Sequence, residues 1–234
     1  MKSSDIIAAY AVKNNCYKAN KPLKPKGLVV HSTGANNPKL SRYVDAPALV
    51  GANAYANHWN APKPGGREVC VHAFIGKDIK NEVKVAQILP YTMQCWGCGN
   101  GAKGSYNSTH IQFEVCEDSL NDKRYFELAI SAAIEYCAYL CHEFGLDTKD
   151  IVSHAEAYKK GYASNHVDSD HWLKKFGWTM DKFRTAVQDV YDKLYTDYAA
   201  EVCKKCGLSP ATKSYLDRYS YSHDLWKKLW LGMK

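Results

Sequence analysis

Two rhythms of apolar and polar positions run along this chain, one predicting strands and the other helices. Residues 28–32 are an apolar run that ends in Thr33, Gly34, Asn36, Asn37 and Pro38, the pattern of a buried strand whose far end carries function. Residues 69–76 and 83–89 read as two more strands, joined by a polar turn at 77–81. In residues 109–116, Ile111, Phe113 and Val115 alternate with His110, Gln112 and Glu114, the period of a strand with one polar face. Residues 151–154 read as a further short strand. The helical rhythm is clearest where Phe126, Ala129, Ala133, Cys137, Leu140 and Phe144 recur at three and four residues, between an N-cap at Asp122 and a stop at Gly145. A second amphipathic helix spans 180–195 behind Thr179, and a short one spans 4–13, with Ser4 as its cap and Ile6, Ile7 and Tyr10 on one face. Between these elements, Pro47, Gly51, Pro62 and Pro64 mark 40–66 as irregular with a helical turn in 46–55, 96–104 is a glycine-rich loop, and 155–172 is a long polar loop.

Strands and helices do not follow a regular βαβ repeat, so the expected fold is α/β, a central mixed β-sheet flanked by helices. Beyond Asp197 come a helix stopped by Gly207 and another begun by Ser209-Pro210, a small helical C-terminal appendage. The expected domains are therefore 1–196 and 197–234. At 234 residues and 46% hydrophobic, the chain can bury a core for one such domain plus the appendage.

A formal charge of +7 points to an acidic partner: nucleic acid, an anionic lipid surface or the bacterial wall. Tyr215, Tyr219, Tyr221, Trp226 and Trp230 make the tail aromatic, and Lys213, Arg218, Lys227, Lys228 and Lys234, the last outside the residues that the structure describes, make it basic; it docks on the wall, forms a homodimer through its helices, or covers an apolar face of the main domain. No nucleic-acid reading motif is present, which sets nucleic acid aside as the partner. No stretch has the order of a signal peptide or the ~18–20 apolar residues of a membrane span, so the expectation is a protein made and kept soluble in the cytosol. The nine cysteines read as reduced thiols; Cys95/Cys98 and Cys203/Cys206 have CxxC spacing but lack a redox βαβ context.

His31, His154 and Asp168, each at the end of an apolar run or in the loop beyond one, are the residue types that a three-ligand zinc site with an open fourth position requires, while either histidine taken alone reads equally as a surface or hydrogen-bonded core residue. A bound metal lowers the pKa of water from about 15.7 to about 7, and Glu114 on the polar strand face is the candidate base for that proton. His166, two residues before Asp168, can reach the same centre and stabilise an oxyanion. The sequence lacks the compact HExxH of a helix-borne zinc site. His72 and His110 read as structural or pocket-lining, His58 and His171 as loop packing or substrate contacts, and His142 and His223 as exposed helix positions.

The stretches Val29-Val30-His31-Ser32-Thr33, Val71-His72-Ala73-Phe74-Ile75-Gly76, Thr109 to Asp118, Ser153-His154-Ala155-Glu156 and Ser164 to Trp172 stand in an order and spacing that resembles the type 2 N-acetylmuramoyl-L-alanine amidases, above all the phage and prophage endolysins of clostridia and related gut Firmicutes. The resemblance covers residues 27–187. It implies the fold shared with peptidoglycan recognition proteins, zinc held by His31, His154 and Asp168, and Glu114 as the catalytic glutamate. The third ligand of such enzymes is cysteine or aspartate, and many carry lysine or threonine where His166 stands here. The implied reaction is hydrolysis of the amide between N-acetylmuramic acid and L-alanine in peptidoglycan. Related folds also bind peptidoglycan without cutting it, so a recognition module is the alternative reading. As a lysin the protein is expected to stay in the host cytoplasm until it is released to the wall; a chromosomal autolysin would need another exit.

Overall fold

A computed structural model describes residues 1–233. Its six strands are β1 (Ile6–Ala8), β2 (Gly27–Ser32), β3 (Ala73–Lys77), β4 (Val83–Gln87), β5 (His110–Val115) and β6 (Ile151–Ser153), in one sheet of order β1-β4-β3-β5-β2-β6. Only the β3/β4 pair is antiparallel, so the sheet is mixed, as expected. Helices α1 (Asn15–Ala19), α2 (Pro47–Val50), α3 (Lys123–Phe144), α4 (His154–Lys160) and α5 (Asp170–Lys175) belong to the main body, and α6 (Met180–Tyr195) begins in it.

The central strands are apolar because both of their faces are covered. Every residue of β2 is buried, and each large side chain there, such as Leu28 or Val30, contributes roughly 1.5–3 kcal/mol. The helix α3 starts where Asp122 accepts a hydrogen bond from the Tyr125 N–H and ends at Gly145 in the left-handed conformation. It packs on β3, β4 and β5, and Tyr136 meets the β5 residue Phe113 edge to face at 5.1 Å. Since strand side chains alternate, Gln112 and Glu114 point away from α3, to the face where the site is built. The register places His31 beside Glu114 and Val29 beside Gln112.

Gly27, the first residue of β2, is where two segments press together. A Cβ there would lie 2.5 Å from the Asp150 carbonyl oxygen and 2.7 Å from His110 Nε2. Gly27→Ala is therefore expected to destabilise the protein by about 1–3 kcal/mol, the cost of overpacking, as measured by urea unfolding.

Two expectations fail. Residues 4–13 are not a helix: Ile6–Ala8 is an edge strand parallel to β4, and the ladder continues through Ala9 N–H to the Gln87 carbonyl and Ala11 N–H to the Ile88 carbonyl. Three consecutive apolar residues fit either period, and pairing with Val85–Gln87 decides it. Nor is 155–172 a loop throughout, since α4 begins at His154 and α5 begins at Asp170. The third strand is also shorter than expected, beginning at Ala73.

The chain divides into two compact units, Met1–Val190 and a second from Tyr191 onward. In the second unit, α7 (Tyr198–Cys206), α8 (Pro210–Asp217) and α9 (Ser222–Gly232) gather around Tyr198, Val202, Trp226 and Trp230. Trp226 Nε1 donates to Asp217 Oδ1 at 2.8 Å, while Tyr215, Tyr219 and Tyr221 are exposed. Among the described residues, no helix is long and apolar enough to cross a membrane.

Candidate metal centre

Three strand ends and one loop converge on the candidate site. His31 comes from the end of β2. His154 is the first residue of α4, which starts as soon as β6 ends because Ser153 and Glu156 form a capping box: the Ser153 side chain accepts from Glu156 N–H at 3.1 Å and Glu156 Oε2 accepts from Ser153 N–H at 3.3 Å. Arg184 holds that Glu156 in a two-pronged pair at 2.8 and 3.0 Å. The start of α4 also fixes the loop, as Ala155 N–H donates to the Asp168 carbonyl at 3.1 Å. One helix end thus positions two candidate ligands.

His31 Nδ1 lies 3.1 Å from His154 Nδ1 and 3.1 Å from Asp168 Oδ2, and His154 Nδ1 lies 3.6 Å from Asp168 Oδ1. Donors around a tetrahedral zinc at ~2.0–2.1 Å sit about 3.3 Å apart, close to these separations. The chemistry of the donor set fits as well. His154 Nε2 lies 3.0 Å from the Ser164 carbonyl, which can only accept, so its proton sits there and its Nδ1 lone pair faces inward.

Burial and neighbouring charge act differently on the three donors. Burial, helped by the charge of His31, lowers the pKa of His154 to about 4, which keeps the ring neutral and able to ligate. For His31, burial alone would lower the pKa, but the hydrogen bond and charge of Asp168, with Glu114, raise it above its ordinary value. In Asp168 burial is outweighed by the hydrogen bond and charge of His31, and the carboxylate is held below its usual range.

Glu114 lines the same cavity of ≈ 1030 Å³ as the three donors. Its Oε2 is shut off from solvent and has no hydrogen-bond partner. Burial pushes its pKa from 4.5 to about 7, against the pull of His31 and with the push of Asp168 and Glu117. His166 stands at the cavity mouth with its side chain 61% exposed, Nδ1 3.8 Å from Asp168 Oδ1 and its ring 4.7 Å from that of His154. Arg42, Trp59, Arg67 and Trp96 line more of the cavity wall, supplying charge and aromatic surface.

The other histidines sort by partner. His72 is fully buried between the Met93 carbonyl and Gln112 N–H, and His110 stacks on Tyr106 with ring centres 3.8 Å apart. His58 lies 3.7 Å from Asp45. His171, on α5, lines the cavity and lies 3.0 Å from the buried Glu117, a pairing that no sequence spacing announces. All nine cysteines are free thiols and seven are buried.

The fold itself has solved counterparts. The hydrolase AmiA of Staphylococcus aureus, whose structure was determined with its ligand, superposes with a TM-score of 0.57 over 82% of this chain and 85% of that one; at 18% identity the likeness is one of fold. Residues 21–171 match the N-acetylmuramoyl-L-alanine amidase family (Amidase_2), and the chain belongs to that family. Protein Ami of Listeria monocytogenes is 24% identical over 183 residues, 75% of this chain but 17% of that protein. The N-acetylmuramoyl-L-alanine amidase CwlA of a Bacillus species is 24% identical over 154 residues, 65% of this chain and 53% of that protein. The chain thus spans about half of one curated relative and less than a fifth of the other.

Proposed function

We propose that this chain is a zinc-dependent amidase that hydrolyses the bond between N-acetylmuramic acid and L-alanine in peptidoglycan. The observation that carries the reading is the triangle of His31, His154 and Asp168 beside Glu114, whose Oε2 is buried and has no partner. Zinc held by the three residues would polarise water and the scissile carbonyl. Glu114 takes the proton of the attacking water and returns it to the nitrogen of L-alanine as the C–N bond breaks; a pKa near 7 suits both transfers. His166, at the mouth of the cavity, donates to the oxygen that gains charge on attack. It and Glu114 line the same cavity, in which substrate would lie.

Family membership and the named amidase relative support this reading over a recognition module, and so does the orphaned carboxylate, which a binding site has no need to bury. The likeness of the motif set to phage and prophage lysins supports wall degradation as the setting. Purified protein is expected to carry about one zinc per chain and to release L-alanine amino groups from isolated cell walls, read by amine labelling and metal analysis. Wall binding with no amine released would overturn the assignment.

A further inference from the structure

Behind His31 lies a chain of hydrogen bonds in which each polarity is forced by the one before it. Asn107 Oδ1 accepts from the backbone N–H groups of Gly97 and Cys98, each at 3.0 Å, so that atom is the amide oxygen. Gln112 then offers it Nε2, also at 3.0 Å. The other amide atom of Gln112, the acceptor Oε1, consequently faces His31 Nε2 at 2.9 Å. His31 must carry a proton on Nε2, which leaves Nδ1 as the nitrogen aimed at His154 and Asp168.

Gln112 is fully buried and is seated by its surroundings. A Cβ on Gly97 would lie 2.5 Å from Gln112 Oε1, so only glycine leaves room for the amide. Cys98 Sγ lies 3.4 Å from Gln112 Nε2 and 3.3 Å from Asn107 Oδ1, which gives half of the Cys95/Cys98 pair a place in the same network. His154 is oriented by Ser164, through its carbonyl at 3.0 Å and its hydroxyl at 3.4 Å, whereas His31 depends on a side chain whose own orientation must be set.

We propose that Gln112, locked by Asn107 and the Gly97–Cys98 backbone, is a positioning residue that fixes the tautomer and ring angle of His31 as a metal ligand. The inference rests on the zinc reading above. Outer-shell partners of this kind typically change metal affinity 10- to 100-fold.

The test uses the full chain as wild type, Gln112→Leu, Gln112→Glu and Asn107→Ala, with two readouts. Zinc affinity is measured by competition with a chromophoric chelator, and the His31 ring is followed by nitrogen–proton NMR in alkaline, metal-free protein. Gln112→Leu is expected to weaken zinc about 10- to 100-fold and to release the proton from a fixed place on Nε2. Gln112→Glu keeps an acceptor for that proton and should fall between wild type and Gln112→Leu. Should Gln112→Leu fail to fold, Asn107→Ala, which leaves Gln112 present but free to rotate, is expected to weaken zinc in the same direction. Affinities within about twofold of wild type and an unchanged tautomer would overturn the proposal. Wild type that binds no zinc would instead sink the metal reading, with the NMR result still deciding what Gln112 does to His31.

Discussion

Asp168→Ala is expected to lose zinc and hydrolysis together. The carboxylate supplies the only anionic donor of the triangle, 3.1 Å from His31 and 3.6 Å from His154. Two neutral imidazoles without it form an incomplete site for a divalent ion, so affinity should fall by more than the roughly 10- to 100-fold of an outer-shell change. The metal-free protein should respond as well. Asp168 has a lowered pKa, so its pairing with His31 stabilises the fold above pH ~4 and that contribution is lost as pH falls through the folded value. At neutral pH the alanine variant is therefore less stable than metal-free wild type, and the difference shrinks in acid. Asp168→Cys offers a thiolate at the same place and is expected to keep zinc. Zinc stoichiometry near wild type in Asp168→Ala would place the third ligand elsewhere.

Much of this was legible in the chain, for physical reasons that differ by element. The alternation in β5 and the three-and-four spacing in α3 are strong because each element has one face on the core over many residues. His31, His154 and Asp168 were legible as residue types; what joins them across more than a hundred residues is sheet pairing, which no local spacing records. The start of α4 was written in Ser153-x-x-Glu156, but the glycine and polar residues after it favour a loop in any window average. The strand β1 is three residues long and carries no periodicity of its own. Least visible was the role of Gln112 and Asn107, because an amide on a polar strand face or in a loop looks like any other until its partners are placed.

On the proposed reading, Glu114→Gln is expected to separate catalysis from metal binding and from stability in one substitution. The amide keeps the shape of the side chain and cannot take a proton, so hydrolysis should fall about 10²–10⁴-fold, the usual contribution of a general base, while zinc stoichiometry stays near wild type. A residue that served only to support the fold would leave a less stable protein, and here the opposite is expected. Glu114 has a folded pKa of about 7 against 4.5 when solvated, because its burial penalises the charged form. The folded state thus binds this proton more tightly than the unfolded state does. In metal-free wild type, the contribution of this group to stability falls as pH rises from about 4.5 to about 7, and above that its ionised carboxylate costs the fold about 3 kcal/mol. Glutamine carries no charge to bury. Metal-free Glu114→Gln should therefore unfold at higher denaturant than wild type at pH 8, with the two curves converging toward pH 4. A variant that loses activity and stability together at pH 8 would mark Glu114 as structural and leave the proton transfer to another group.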